Sequence, residues 1–405
     1  MVVQANDNNC SDHPIFDFIT PEYRLTGHGR RVKLSPTGWN GEEVAAAIET
    51  ALKGVPFGLP VVGCIPFDTQ KAAELYVPEE VTWGKGLEKE TPASVAQTTI
   101  RTDDGDVPTP NSAQYRASVA KAVRSIENGE LEKIVLARTA TIKTPSAIEP
   151  CVIVKDLAKH NPNSFVYRSD ISSGTLVGAT PELVLRSWAG TITSFPLAGS
   201  IPVGGADELA REKLKETLLS SPKDRAEHGL VVHQVGETFK QYLDDAHIPS
   251  SPEIVETPVI LHLGTRISGH LESELSSRVS TVMRLLYDLH PTPAVCGWPT
   301  SVARRKIQEL EDFDRGMYSG LIGWIDAQGN GEWALALRGG VINGESATLY
   351  AGAGIVAGSD PEHEHAETAA KFQTIARVIE RQRTLQALPV LECVDLGLEP
   401  SGVDQ

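Results

Sequence analysis

Residues 349–378 restrict the possible folds of this chain more than any other stretch. Leu349–Val356 reads as a strand that enters a glycine turn at Gly352, Ala353 and Gly354. Asp360 is suited to cap a helix, and Pro361 to its first turn, where an N–H donor is not needed. Glu364, Glu367 and Lys371 then share one helix face, which continues into Ile375 and Val378 and therefore points inward. Buried charges need partners. Strand, glycine turn and helix N-terminus together offer backbone N–H groups to an anion, and the carboxylates suit a hard cation such as Mg²⁺.

The 405 residues allow two or three domains or one large α/β unit, and 40% apolar content is enough for a sizeable core. A formal charge of −16 argues against nucleic acid or an anionic membrane as the main partner. A small dianion remains compatible if its site is locally basic or bridged by metal. Cys10, Cys64, Cys151, Cys296 and Cys393 are scattered, with no paired spacing. They predict a reducing compartment, with neither a disulfide framework nor a zinc site. Met1 to Ser11 is polar, and no run of about 18 apolar residues occurs, so a cytoplasmic protein is expected.

Periodicity predicts helices over Glu42–Lys53, from Ser112 to about Asn128, and from Pro222 to about Tyr242. Strands are expected over Leu131–Lys143 and around 163–168, 174–178 and 182–188. A pair at Gly320–Ile325 and Glu332–Leu337 is expected to join across Asn330-Gly331. Residues 89–111 read as a connection and the chain after about Leu385 as a loose tail. The class is α/β (α+β) with much antiparallel sheet.

Four groups stand out as chemistry. Lys133 opens an apolar strand, where desolvation would lower its pKa, although a lysine there can also snorkel to water. Glu227 lies on an apolar helix face and needs a partner; Arg225 is the ordinary choice. Glu182 follows a Thr-Pro turn, as a proton donor or as a solvated strand end. Arg338, before Gly339-Gly340, offers a bidentate fork for a carboxylate, or a structural ion pair. Gly352-x-Gly354-x-x-x-Gly358 is too long for a dinucleotide fingerprint, and His363-x-His365 splits its imidazoles between helix faces.

These residues fall in segments that resemble the chorismate-utilising enzymes: anthranilate, aminodeoxychorismate, salicylate and isochorismate synthases. In order they are Lys133-Ile-Val-Leu-Ala-Arg138, Gly178-Ala-Thr-Pro-Glu182, Pro196-Leu-Ala-Gly-Ser200 and Lys223-Asp-Arg-Ala-Glu-His228. Leu289-His-Pro-Thr-Pro-Ala-Val-Cys-Gly297, Ala351-Gly-Ala-Gly-Ile-Val356 and Glu364-His-Ala-Glu-Thr368 with Lys371 follow. The likeness is greatest to the isochorismate synthases. It implies one large fold: mostly antiparallel sheets in a sandwich with helices outside. Residues 1–110 would form its N-terminal portion, 111–385 the chorismate-binding region and 386–405 the tail.

The resemblance implies a Mg²⁺-dependent isomerase that adds water at C2 of chorismate as the C4 hydroxyl departs, feeding siderophore or menaquinone synthesis. Lys133 would be the general base and Glu182 the general acid. Glu227 and Glu367 would bind Mg²⁺, with Glu364 in support. Arg338, Lys371 and the backbone of Gly352, Ala353 and Gly354 would hold carboxylates. His262, Tyr318, Ala198, Gly199, Ser200 and Ala294 would contact substrate. Gly339-Gly340 departs from the family's usual residues and could loosen the pocket wall. A monomer is implied. A salicylate synthase, which also eliminates pyruvate, and a non-catalytic chorismate-binding relative are the alternatives.

Overall fold

The computed structural model describes residues 13–87, 112–271 and 277–387. The described residues begin with β1 (Phe16–Ile19), β2 (Tyr23–His28), β3 (Val32–Lys33), α1 (Gly41–Lys53), β4 (Val61–Ile65), β5 (Glu74–Val77) and β6 (Glu80–Lys85). Next come α2 (Ser112–Glu127), β7 (Lys133–Lys143), α3 (Pro150–His160), β8 (Phe165–Ile171), β9 (Gly174–Thr180), β10 (Leu183–Trp188), β11 (Thr191–Phe195) and β12 (Leu197–Pro202). Then follow α4 (Glu208–Ser220), α5 (Pro222–Phe239), β13 (Glu253–Glu256), β14 (Ile260–Gly264), β15 (Ile267–His270), α6 (Arg278–Leu289), β16 (Gly297–Trp298) and α7 (Thr300–Leu310). The last elements are β17 (Leu321–Ile325), β18 (Gly331–Leu335), β19 (Gly339–Asn343), β20 (Ser346–Ile355) and α8 (Pro361–Ala387).

Two large sheets carry the fold. Among the described residues one has nine strands in the order β16-β7-β20-β19-β9-β8-β1-β2-β6, the other eight in the order β15-β11-β10-β18-β17-β4-β5-β3. A small third sheet is β12-β14-β13. Phe16, Phe18 and Tyr167 of the first large sheet meet Val62, Ile322 and Trp324 of the second in one buried cluster, so the sheets face each other as a sandwich. The outer face of the nine-stranded sheet packs on α3 and α8 through residues such as Ile153, Leu157, Phe372 and Ile379. Helices α1, α5 and α6 cover the eight-stranded sheet through Ile48, Val235, Phe239 and Leu286.

Local signals explain the boundaries. Asn40 accepts from the N–H groups of Glu42 and Glu43 to start α1, and Ser221 caps α5 ahead of Pro222. The His363 N–H donates to Asp360 at the head of α8. The inward face expected there is present: Glu364, Thr368, Phe372, Ile375 and Val378 are buried.

One local expectation is corrected. Gly352 and Gly354 are not in a turn; they lie inside β20, opposite Ala137 and Val135 of β7. The turn comes later, through Gly358 at φ +78°. The expected connection over 89–111 lies outside the described residues, as does the expected tail beyond Ala387.

Candidate active site

The pocket opens where two strands part. β19 pairs with β20 only through Ser346–Leu349, whereas β20 runs on to Ile355 against β7. In β7 the N–H groups of Val135 and Ala137 turn away from β20, to the Cys296 carbonyl and the Glu311 carboxylate. Their partners Gly354 and Gly352 are therefore non-hydrogen-bonded, and turn their own N–H groups out past the end of β19. Both glycines line the pocket, and the Gly352 carbonyl accepts from Lys371 Nζ at 2.8 Å. A Cβ on Gly354 would lie 2.2 Å from Glu227 Oε1, so the bare backbone makes room for that carboxylate. Ala353 is buried in the alternate direction and does not line the pocket.

Lys133 begins β7 and is wholly buried, which rules out snorkelling to water. Its Nζ lies 2.9 Å from Glu227 Oε1. Glu227 thus takes Lys133 as its partner and not Arg225, whose guanidinium donates to the Leu219 carbonyl. Glu227 lines the pocket while Lys133 sits behind it.

Across the gap, after β9, Glu182 is 5% exposed. Burial raises its pKa to about 7, against the lowering effects of the Leu197 N–H and the charges of Lys133, Arg338 and Lys371. It is no solvated strand end. Its protonated form is thus accessible near neutral pH.

Arg338 sits at φ +54° immediately before β19, which aims its side chain into the gap. One guanidinium nitrogen lies 2.7 Å from His262 Nε2. Burial holds the His262 pKa well below its ordinary value, and Arg338 and Lys371 act in the same sense. The imidazole is neutral: it donates to the Gly199 backbone and accepts from Arg338 through Nε2. Gly339 does not loosen this wall; a Cβ there would lie 2.0 Å from the Val177 carbonyl, so the glycine permits close packing.

The carboxylates of α8 have their own lysines. Glu367 Oε1 lies 2.6 Å from Lys371 Nζ and accepts from Ser200 Oγ at 3.0 Å. Burial opposes its ionisation, but Lys371 prevails and lowers the pKa. Glu364 Oε1 lies 3.0 Å from Lys223 Nζ; burial and the nearby Glu367 charge raise its pKa. Glu364 stands behind the pocket wall. Among the described residues no three His, Cys, Asp or Glu side chains converge closely enough to enclose a metal ion by themselves. Pocket-lining Glu227 and Glu367 still form an all-oxygen pair, and Mg²⁺ commonly takes one or two carboxylates and completes its shell with water and substrate.

Ala198, Gly199, Ser200, His262, Ala294 and Tyr318 all line the pocket. Three features escaped the sequence reading. Tyr350 stacks on Tyr318, with centroids 5.0 Å apart. Arg315 donates to the Val135 and Val295 carbonyls at 2.8 Å and pairs with Glu311, pinning the Ala294 segment to β7. His228 bonds Thr265 at 2.7 Å; burial lowers its pKa to about 4. The Glu311–Arg315 pair has a local signal in its spacing of four.

A sandwich of antiparallel sheets, opened at one strand end and lined with opposed acids and cations, marks a known class of enzyme. Residues 69–380 match the model of the family described as chorismate binding enzyme, and the chain belongs to that family. Isochorismate synthase DhbC of Bacillus subtilis is 39% identical over 326 residues, 79% of this chain and 80% of that one. Isochorismate synthase EntC of Escherichia coli K12 is 34% identical, covering 90% of this chain and 94% of that protein. The crystal structure of DhbC from Bacillus anthracis superposes with a TM-score of 0.82. It shares 32% identity and covers 91% of this chain and 97% of that one.

Proposed function

We propose that this protein is an isochorismate synthase, an isomerase that turns chorismate into isochorismate for a siderophore or menaquinone pathway. One observation carries the reading: a buried carboxyl group, Glu182, and a buried lysine–carboxylate pair, Lys133 and Glu227, flank the same gap. A binding module needs no such division of acid and base.

In this reading Arg338, already fixed by His262, receives one carboxylate of the substrate. Lys371 and the outward N–H groups of Gly352 and Gly354 add positive potential for carboxylate oxygens. Tyr318, stacked on Tyr350, limits how the ring can turn. Lys133 serves as base in its neutral amine form: water adds at C2 and gives its proton to that amine, beside Glu227. The double bonds shift, and the C4 hydroxyl leaves as water with the proton of Glu182. Proton count and charge balance over the step, because one proton is taken up and one released. Glu227 and Glu367 would hold Mg²⁺, with Glu364 in support. When bound, it would neutralise and orient a substrate carboxylate.

Chorismate is the proposed partner, bound by one copy of the chain, since every residue named comes from it. Among the described residues no helix is long and apolar enough to cross a membrane. The buried thiols of Cys64 and Cys296 suit a reducing compartment such as the cytoplasm. The test is purified protein with chorismate and Mg²⁺, its products resolved by NMR, with and without ammonium. Isochorismate approaching a balance with chorismate is expected. Salicylate with pyruvate would move the protein to a salicylate synthase, and unchanged chorismate would remove the activity.

A further inference from the structure

Each of the three carboxylates read as metal ligands faces a lysine, and the three lysines differ in freedom. The Lys133 side chain is 0% exposed, Lys371 14% and Lys223 39%. Lys133 is enclosed, and Lys371 is tied down by its second bond to the Gly352 carbonyl. Lys223 reaches the cluster from the surface. Its ammonium bonds Glu364 and is close enough to act on Glu227 and Glu367 as well.

Lys223 is also poorly placed for its own helix. It is the second residue of α5, where the positive end of the helix dipole disfavours a cation. Its neighbour Asp224 meets that local preference. A lysine at this position therefore has its rationale across the site. Glu364 and Glu367 lie one turn apart on α8, and their like charges repel with little water to screen them.

Resting on the reading of Glu227, Glu364 and Glu367 as the Mg²⁺ carboxylates, we propose that Lys223 is a tethered counter-ion for that cluster. It holds the carboxylates together without metal and swings out to solvent when Mg²⁺ takes them. Its role is to position and to set metal affinity. No reacting atom touches it.

The test is Mg²⁺ titrated alone into wild type, Lys223→Met, Lys223→Arg and Glu367→Gln by calorimetry, with melting curves in each state. Lys223→Met should bind Mg²⁺ roughly five- to tenfold more tightly, the size of one partly screened charge. Its melting temperature should fall without metal and recover with it, while Lys223→Arg keeps wild-type affinity. Wild-type or weaker binding by Lys223→Met, with binding lost in Glu367→Gln, would overturn the counter-ion and leave the metal reading intact. No Mg²⁺ binding in wild type or Lys223→Met would remove both. Should Lys223→Met fail to fold, Lys223→Gln serves as the second neutral variant.

Discussion

Glu182 shows how a single residue trades stability for chemistry. Its pKa in the folded protein is about 7 against an ordinary 4.5, because burial disfavours the charged form. The folded state therefore holds its proton more tightly than the unfolded chain. The associated stability is complete below the ordinary value and is lost as pH rises toward 7, with a span on the order of 3 kcal/mol. Glu182→Gln is isosteric and cannot ionise, so it should melt at a higher temperature than wild type at pH 8. It should also lose roughly 10²–10⁴-fold in kcat. Wild-type kcat should decline as pH rises through about 7, as the acid form is depleted. Melting curves and a pH–rate profile check both, and an unchanged rate for the glutamine variant would remove Glu182 as the acid.

At the scale of elements, the site depends on two strands parting and on what glycine allows there. Gly354→Ala would put a methyl group 2.2 Å from Glu227 Oε1 and 3.2 Å from Lys133 Cε. The Lys133–Glu227 pair would have to move, at a cost of about 1–3 kcal/mol, and activity should fall far more than stability. Denaturant unfolding beside a rate measurement checks this; equal losses in both would count against it. Some of this was legible in the sequence. The inward face of α8, the caps of α1 and α5 and the strand at Lys133 follow from local periodicity and capping chemistry. The position of Gly352 and Gly354 was not. A Gly-x-Gly stretch looks like a turn locally, and only pairing with β7 extends the strand through it. Likewise the sequence leaves the partner of Glu227 open between a nearby arginine such as Arg225 and a metal shared with Glu364 and Glu367; Lys133 is not among them, because ion pairs across the fold leave no mark in spacing.

On the scale of the whole molecule, the first part of the chain is woven through both sheets. β1, β2 and β6 complete the nine-stranded sheet, while β4 pairs with β17 in the eight-stranded one. The N-terminal portion thus shares the sandwich core with the strands that bear the site. Sequence motifs predicted the family, and each motif supplies a residue that lines or backs the pocket from a different part of the fold. They could not show that Lys133 lies behind Glu227, or that Arg338 is oriented by His262. Those arrangements arise only when distant strands and loops meet.

The proposed mechanism requires water from solvent to enter at C2 with Lys133 as its base. The most direct measurement is turnover of chorismate in ¹⁸O-enriched water, with the label located in isochorismate by mass spectrometry and ¹³C NMR isotope shifts. One ¹⁸O in the C2 hydroxyl is expected for wild type, with no labelled product from Lys133→Met. Isochorismate formed without label would mean that the C4 hydroxyl itself migrates, and would contradict the roles given to Lys133 and Glu182.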